Sequence, residues 1–324
     1  MWRFVIRRCG QALVTLLLLS AIVFFMFRLL PADPTAAMVD AALSPEQIAE
    51  LKAEFGLDKP LAVQYGLYLK NILLKGDFGT SFFYKQPALK ILGDKILNTL
   101  ILSLAAILVA YTVGSILGAL MAWYRGSAGE VAGIVVGLVF RAAPEFWVGM
   151  VFVMLFAYGL GWLPHSGMRE AGYVAESLAA KYLSLDFLRH LILPATVAAL
   201  HMLSTPMLLL RNAMLEVRRE EYVELAHAKG LPLRRIIFRH AARNAMLPVV
   251  TSLATAIGRS VGGMVLVEYV FSWPGLGREI VLAATRYDFP VAQAAFLMIA
   301  GLIMVMNILA DLLYGYLDPR IVYK

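Results

Sequence analysis

Cysteine is nearly absent: Cys9 is the single one in 324 residues. That excludes an intrachain disulfide and any multi-cysteine metal site. Charge is scarce too. Only 16% of residues are Asp, Glu, Lys or Arg, where a soluble globular chain carries about 25%. Motifs of chemistry are missing as well. No GxxxxGK(S/T) loop occurs, so ATP hydrolysis has no phosphate cradle in this chain. The glycines at Gly262–Gly263 and Gly275–Gly277 lack the lysine and the strand-to-helix setting. There is no HExxH, no Cys pair and no GxSxG. His201, His227 and His240 are scattered without ligand spacing.

What the chain has is apolar length. Hydrophobic residues make up 60% of it, and the mean hydropathy is +0.74. A helix needs about 20 mainly apolar residues to cross a bilayer. Six runs qualify: 9–30, 96–123, 131–160 with Pro144 inside, 188–210, 247–271 and 289–317. The first follows Arg3, Arg7 and Arg8. It is longer than the apolar core of a cleaved signal and has no small-x-small site, so it reads as an uncleaved span.

The net charge of +7 fits cytoplasmic loops rather than nucleic acid, because such loops are enriched in Lys and Arg. With six spans, one side collects Arg3, Arg7, Arg8, Arg125, the cations from Arg211 to Arg243, Arg320 and Lys324. The short loops opposite hold Arg169, Lys181, Arg189, Arg278 and Arg286. Both termini are therefore expected in the cytoplasm. Residues 31–95 form a small extracytoplasmic subdomain. It has a helix capped by Ser44 and ended by Gly56, a second helix over LAVQYGLYLKNIL, and a turn region in GDFGTSFFYKQPA. The expected organisation is 1–30, then 31–95, then a core over 96–320 carrying a cytoplasmic loop at 212–246.

That loop holds the most informative pattern. Met214 to Lys229 reads as one helix with Glu early and Lys late, stopped by Gly230 and followed by Pro232. Ala226 and Ala228 would leave its tip open to close backbone approach. The Arg-rich stretch after it, with Arg234, Arg235, Arg239 and Arg243, reads equally as an anchor to anionic lipid. The acidic helix has no such explanation and suggests docking to a protein.

The residues EYVELAHAKG at 221–230 and RNAMLP at 243–248 resemble the EAA loop of membrane subunits of binding-protein-dependent ABC importers. Leu225 stands where a second Ala is common, and the stretch between Gly230 and Leu247–Pro248 is long. Both departures resemble the dipeptide, oligopeptide and nickel branch. LPADP, PEFW, WLPHSG, VEYVFSWPGLG and YDFPVAQA fit the same branch, in order, and the chain is similar to its first permease subunit type. The resemblance implies an all-α membrane protein with six transmembrane helices of the type I ABC importer permease fold and a small helical insertion after the first span. It implies a bacterial inner-membrane location and a coupling helix carrying Glu221, Tyr222, Glu224, Ala226, Lys229 and Gly230. The implied partners are a homologous second permease, two ATPase subunits that bind ATP and Mg, an extracytoplasmic solute-binding protein and membrane lipid. No cofactor is expected on this chain itself, and no enzyme activity.

Charges within spans mark function by default. Arg141 and Glu145, four apart, could pair on one helix face beside Pro144. His201 lies midway along the fourth span, Arg259 is central in the fifth, and Glu268 is near its outer end. These five are the candidates for a solute pathway; a structural pair of Arg259 with Asp311 or Glu145 is the competing reading. Gly114, Ser115, Gly118 and Ala122, and again Ala254, Gly258 and Gly262, form small-residue faces for helix packing. Trp162 and Trp273 suit the interfacial belt, and SWPGLG reads as a re-entrant or gate-like loop. Di- or oligopeptide is the expected solute, with nickel, glutathione, opine or oligosaccharide as alternatives. An ion-coupled transporter would work without an ATPase. A membrane-embedded transferase would need paired groups, for which Asp186, His190 and Glu176 are the only weak candidates.

Overall fold

The computed structural model describes residues 2–29, 59–173 and 177–317. The helix capped by Ser44, Glu176 and the C-terminal cations lie outside those residues. Among the described residues the regular structure is helical, with a single isolated bridge between Thr80 and Pro87. In chain order the helices are α1 (Trp2–Leu29), α2 (Leu61–Lys75), α3 (Ala88–Trp123), α4 (Ala128–Ala142), α5 (Glu145–Gly159), α6 (Leu178–Leu183), α7 (Leu185–Val217), α8 (Glu221–Ala228), α9 (Leu233–Ala245), α10 (Leu247–Gly263), α11 (Val265–Val270), α12 (Leu276–Thr285) and α13 (Phe289–Leu317).

Four of these, α1, α3, α7 and α13, are long and apolar enough to cross a bilayer unaided. Two more spans require bent pairs. α4 and α5 meet at 105°, and α9 and α10 at 60°. The third apolar run is thus a sharp corner rather than the bent continuous helix expected of it. Pro144 is the cause: it has no N–H to donate and forces Ala143 into extended geometry, φ −68° and ψ 139°.

The chain folds as two compact units. Among the described residues, one comprises 2–29, 59–99 and 274–305; the other comprises 100–173, 177–273 and 306–317. In the first, α2 matches the amphipathic helix expected at LAVQYGLYLKNIL, and Gly76 ends it with φ +64°. The tilted rings of Tyr65 and Tyr68 of α2 pack around Phe24 of α1. The loop after α2 is pinned by one buried carboxylate. Asp288 accepts from the Ser81 hydroxyl and from the Phe82 N–H at 3.0 Å. Lys95 pairs with buried Glu279 at 2.5 Å. Asn98 donates to the Pro274 carbonyl, and Thr99 accepts from the Leu276 N–H. These bonds fix the start of α12.

α7 is the centre of the second unit. Pro194 and Pro206 lie inside it, yet it runs 33 residues. The glycine face of α3 packs on it. A methyl at Gly114 would sit 2.9 Å from the Leu203 carbonyl oxygen, and one at Gly118 would strike the Met207 carbonyl. The expected small-residue contact is therefore made within this chain. At Gly258 the open side is taken by the Asn307 side chain. Trp162 is exposed, but Trp273 is 0% exposed, packed against Phe187. A belt position is excluded for it: the turn after α11 folds its indole inward, and its backbone N–H donates to the Glu268 carbonyl at 2.8 Å.

Candidate functional site

The corner at Pro144 opens a cavity of about 290 Å³ in the second unit. Arg141 from the last turn of α4, Glu145 from the first turn of α5, His201 and Thr205 from α7, and Arg259 from α10 all line it. Four of the five residues expected to share a pathway are thus brought together. Glu268, the fifth, is 0% exposed and is not part of the lining.

The geometry differs from the expected ion pairing. Arg141 and Glu145 are not on one helix face, because the helix stops between them. Arg141 instead donates to Thr205 Oγ1 at 3.3 Å. Arg259 is exposed and forms no ion pair with a described residue, so the structural pair with Asp311 or Glu145 is not made. His201 Nδ1 is buried without a hydrogen-bond partner among the described residues. The cavity therefore offers two guanidinium groups and one carboxyl, with the His201 ring in its wall. Such a wall suits a solute carrying both signs of charge. Sequence reasoning missed Tyr111, whose hydroxyl meets Ser252 Oγ at 3.2 Å on the same wall. Nothing in its apolar surroundings on α3 distinguished it from a packed aromatic. Asp186 and His190, weighed as a transferase site, form a local contact of 3.1 Å one turn apart on α7.

The second candidate is the segment after α7. The single helix expected over Met214–Lys229 is two: α7 ends at Val217 and α8 starts at Glu221. Arg218 explains the break. Its guanidinium donates to the Trp123 carbonyl at 3.1 Å and lies 5.0 Å from the Trp123 ring centre. That turns the chain so that Val223 and Ala226 pack into the core with Ile236, Ile237 and Ala241. Ala226 is only 4% exposed. Its small size serves intrachain packing, not an open tip. Glu221, Tyr222, Glu224, Leu225, Ala228 and Lys229 are outward, with Leu225 55% exposed. His227 stacks on Trp123 at 5.5 Å. Gly230 takes φ +70° and turns the chain into α9.

This segment is linked to the helices behind it by Arg218 and His227, which lie on Trp123 at the end of α3. Nearby, α7 itself is linked to the start of α4, where Arg211 Nε donates to Glu130 Oε1 at 2.8 Å. Glu130 in turn accepts from the Gly126 N–H at 2.6 Å.

Comparison with known proteins identifies the family. Residues 114–323 match the family described as the binding-protein-dependent transport system inner membrane component, and residues 1–105 match its N-terminal companion. The chain is 39% identical to the di/tripeptide transport system permease protein DppB of Pseudomonas aeruginosa, over 99% of each chain. It is 36% identical to the dipeptide transport system permease protein DppB of Escherichia coli, over the whole of both. Among solved structures, an inward-facing MetNI methionine ABC transporter shares the fold. Its TM-score is 0.52 at 15% identity, covering 71% of this chain and 97% of that one.

Proposed function

The chain belongs to the binding-protein-dependent transport system inner membrane components, and from that premise we propose that it is a permease subunit of an ATP-driven importer of dipeptides and short oligopeptides. The observation that carries the reading is a full-length match to peptide permeases, 39% and 36% identical, in a chain with a charged cavity and a separate exposed helix. In this reading each bent pair is one span, which gives six spans with both termini in the cytoplasm. Residues 59–95 then face outward, and α8 faces the ATPase subunits. A second permease completes the pathway, two ATPases hydrolyse ATP with Mg, and a binding protein delivers solute.

The mechanism follows from the two sites. ATP-driven closure of the ATPases displaces α8 through Tyr222, Leu225 and the flanking Glu221, Glu224 and Lys229. Trp123 and Arg211 pass that displacement to the ends of α3, α7 and α4. The α4–α5 corner moves with them, and the cavity at Arg141, Glu145, His201 and Arg259 changes the side to which it opens. A peptide has a carboxylate for the guanidinium groups and an ammonium for Glu145.

Reconstitution tests this reading. The full complex in proteoliposomes should take up labelled dipeptide only with ATP and binding protein, unaffected by ionophores that collapse ion gradients. Uptake driven by an ion gradient without ATPase subunits contradicts it.

A further inference from the structure

The first unit holds another cavity, of about 310 Å³, which the transport reading does not use. Arg28 in the last turn of α1, Lys59, Gln64 and Gln293 line it, with Phe24 and Tyr68 as an aromatic wall. Among the described residues, no Asp or Glu lines it.

Arg28 is held in place. Its Nε donates to Gln64 Oε1 at 2.8 Å, and its guanidinium lies 5.0 Å from the Phe24 ring centre. Gln64 is fixed by donating Nε2 to the Lys59 carbonyl at 2.7 Å. Arg28 makes no ion pair with a described carboxylate. A guanidinium committed through Nε keeps its terminal N–H donors for an oxyanion. The nearby carboxylate of Asp288 is occupied by Ser81, Phe82 and Phe83. Gln293 adds a second sign of an absent acceptor. It is 3% exposed, and its amide nitrogen has no partner among the described residues. A buried donor left unmet costs free energy, so such groups normally have partners.

The position selects the ligand. Arg28 is next to last in the apolar span Ile6–Leu29, and a cation at the end of a span sits at headgroup depth. An oxyanion at that depth, attached to something that packs on aromatic rings, is a phosphodiester with acyl chains. The geometry points to a phospholipid site: the phosphate on Arg28 and Lys59, an oxygen of the same headgroup on Gln293, and the glycerol and upper acyl carbons against Phe24 and Tyr68. The site is independent of which solute is carried and requires only that α1 is in a membrane.

The assembled importer, purified in detergent and washed with lipid-free micelles, provides the test. Phospholipid retained per complex is measured by mass spectrometry for wild type, Arg28→Gln, Lys59→Gln and Gln293→Leu. The expected result is a loss of about one retained phospholipid per copy of this chain in Arg28→Gln and Gln293→Leu. Unchanged retention in both overturns the proposal. A separate arm adds millimolar inorganic phosphate. If phosphate raises the melting temperature of wild type but not of Arg28→Gln, while lipid retention is equal, the site takes free anion and the lipid proposal fails. Should Arg28→Gln not assemble, Lys59→Gln and Gln293→Leu decide by the same reading.

Discussion

Arg259 is the side chain at which pathway and scaffold roles can be told apart. It faces the cavity, is exposed and has no ion pair among the described residues, so removing it should leave assembly intact. A hydrogen bond to a charged group contributes about 1.5–3 kcal/mol. Arg259→Ala should therefore raise KM for dipeptide uptake at least roughly tenfold, with Arg259→Lys recovering part of it. Equal uptake kinetics in wild type and Arg259→Ala would remove Arg259 from the pathway. Gly118 is the opposite case. Its missing side chain lets the Met207 backbone approach, and overpacking there costs about 1–3 kcal/mol. Gly118→Val should lower the temperature at which the purified complex dissociates. On the same helix Gly93 has nothing within 4 Å, so Gly93→Ala should be neutral or stabilising by up to about 1 kcal/mol. Similar effects at both positions would refute the close α3–α7 contact.

At the scale of elements, α8 divides its residues by face. Val223 and Ala226 hold it to the chain, while Tyr222 and Leu225 are outward. Leu225→Asp should leave melting of the isolated permease pair unchanged but weaken recovery of ATPase subunits and reduce uptake. Ala226→Trp should instead destabilise the permease itself by about 1–3 kcal/mol. If Leu225→Asp permease retains its full complement of ATPase and its uptake, α8 is not the docking element. The elements also show how much is legible in the sequence. Apolar length marks α1, α3, α7 and α13, and the limits of α13 coincide with its apolar run. Residue type marks Arg141, Glu145, His201 and Arg259, because charge in an apolar run has few structural explanations. The corner at Pro144 is sharper than the sequence suggests, since a proline in a span predicts a bend but not 105°. The break after Val217 is hidden because Arg218, Arg219 and Glu220 are acceptable in a helix; only the Trp123 contact reveals why it stops. Trp273 misleads for a related reason. Indole suits both an interface and a core, and the neighbours that decide lie far away in sequence.

For the whole molecule, the proposed reading separates motor from pathway. The sequence has no phosphate-binding loop, while one half-exposed helix is tied through Trp123 to α3, and α7, which leads into it, is tied through Arg211 to α4 beside a charged cavity. In the proposed reading, work done elsewhere enters at α8, and α8 lies on the cytoplasmic side. Because Cys9 is the single cysteine, Leu225→Cys in a Cys9→Ser background gives one reporter thiol. The direct measurement is cross-linking of that thiol in whole membranes, with and without ATP. Coupling through α8 predicts a cross-link to an ATPase subunit whose yield changes with nucleotide, and no labelling by membrane-impermeant maleimide added outside. Labelling from outside, with no ATPase cross-link, would contradict it.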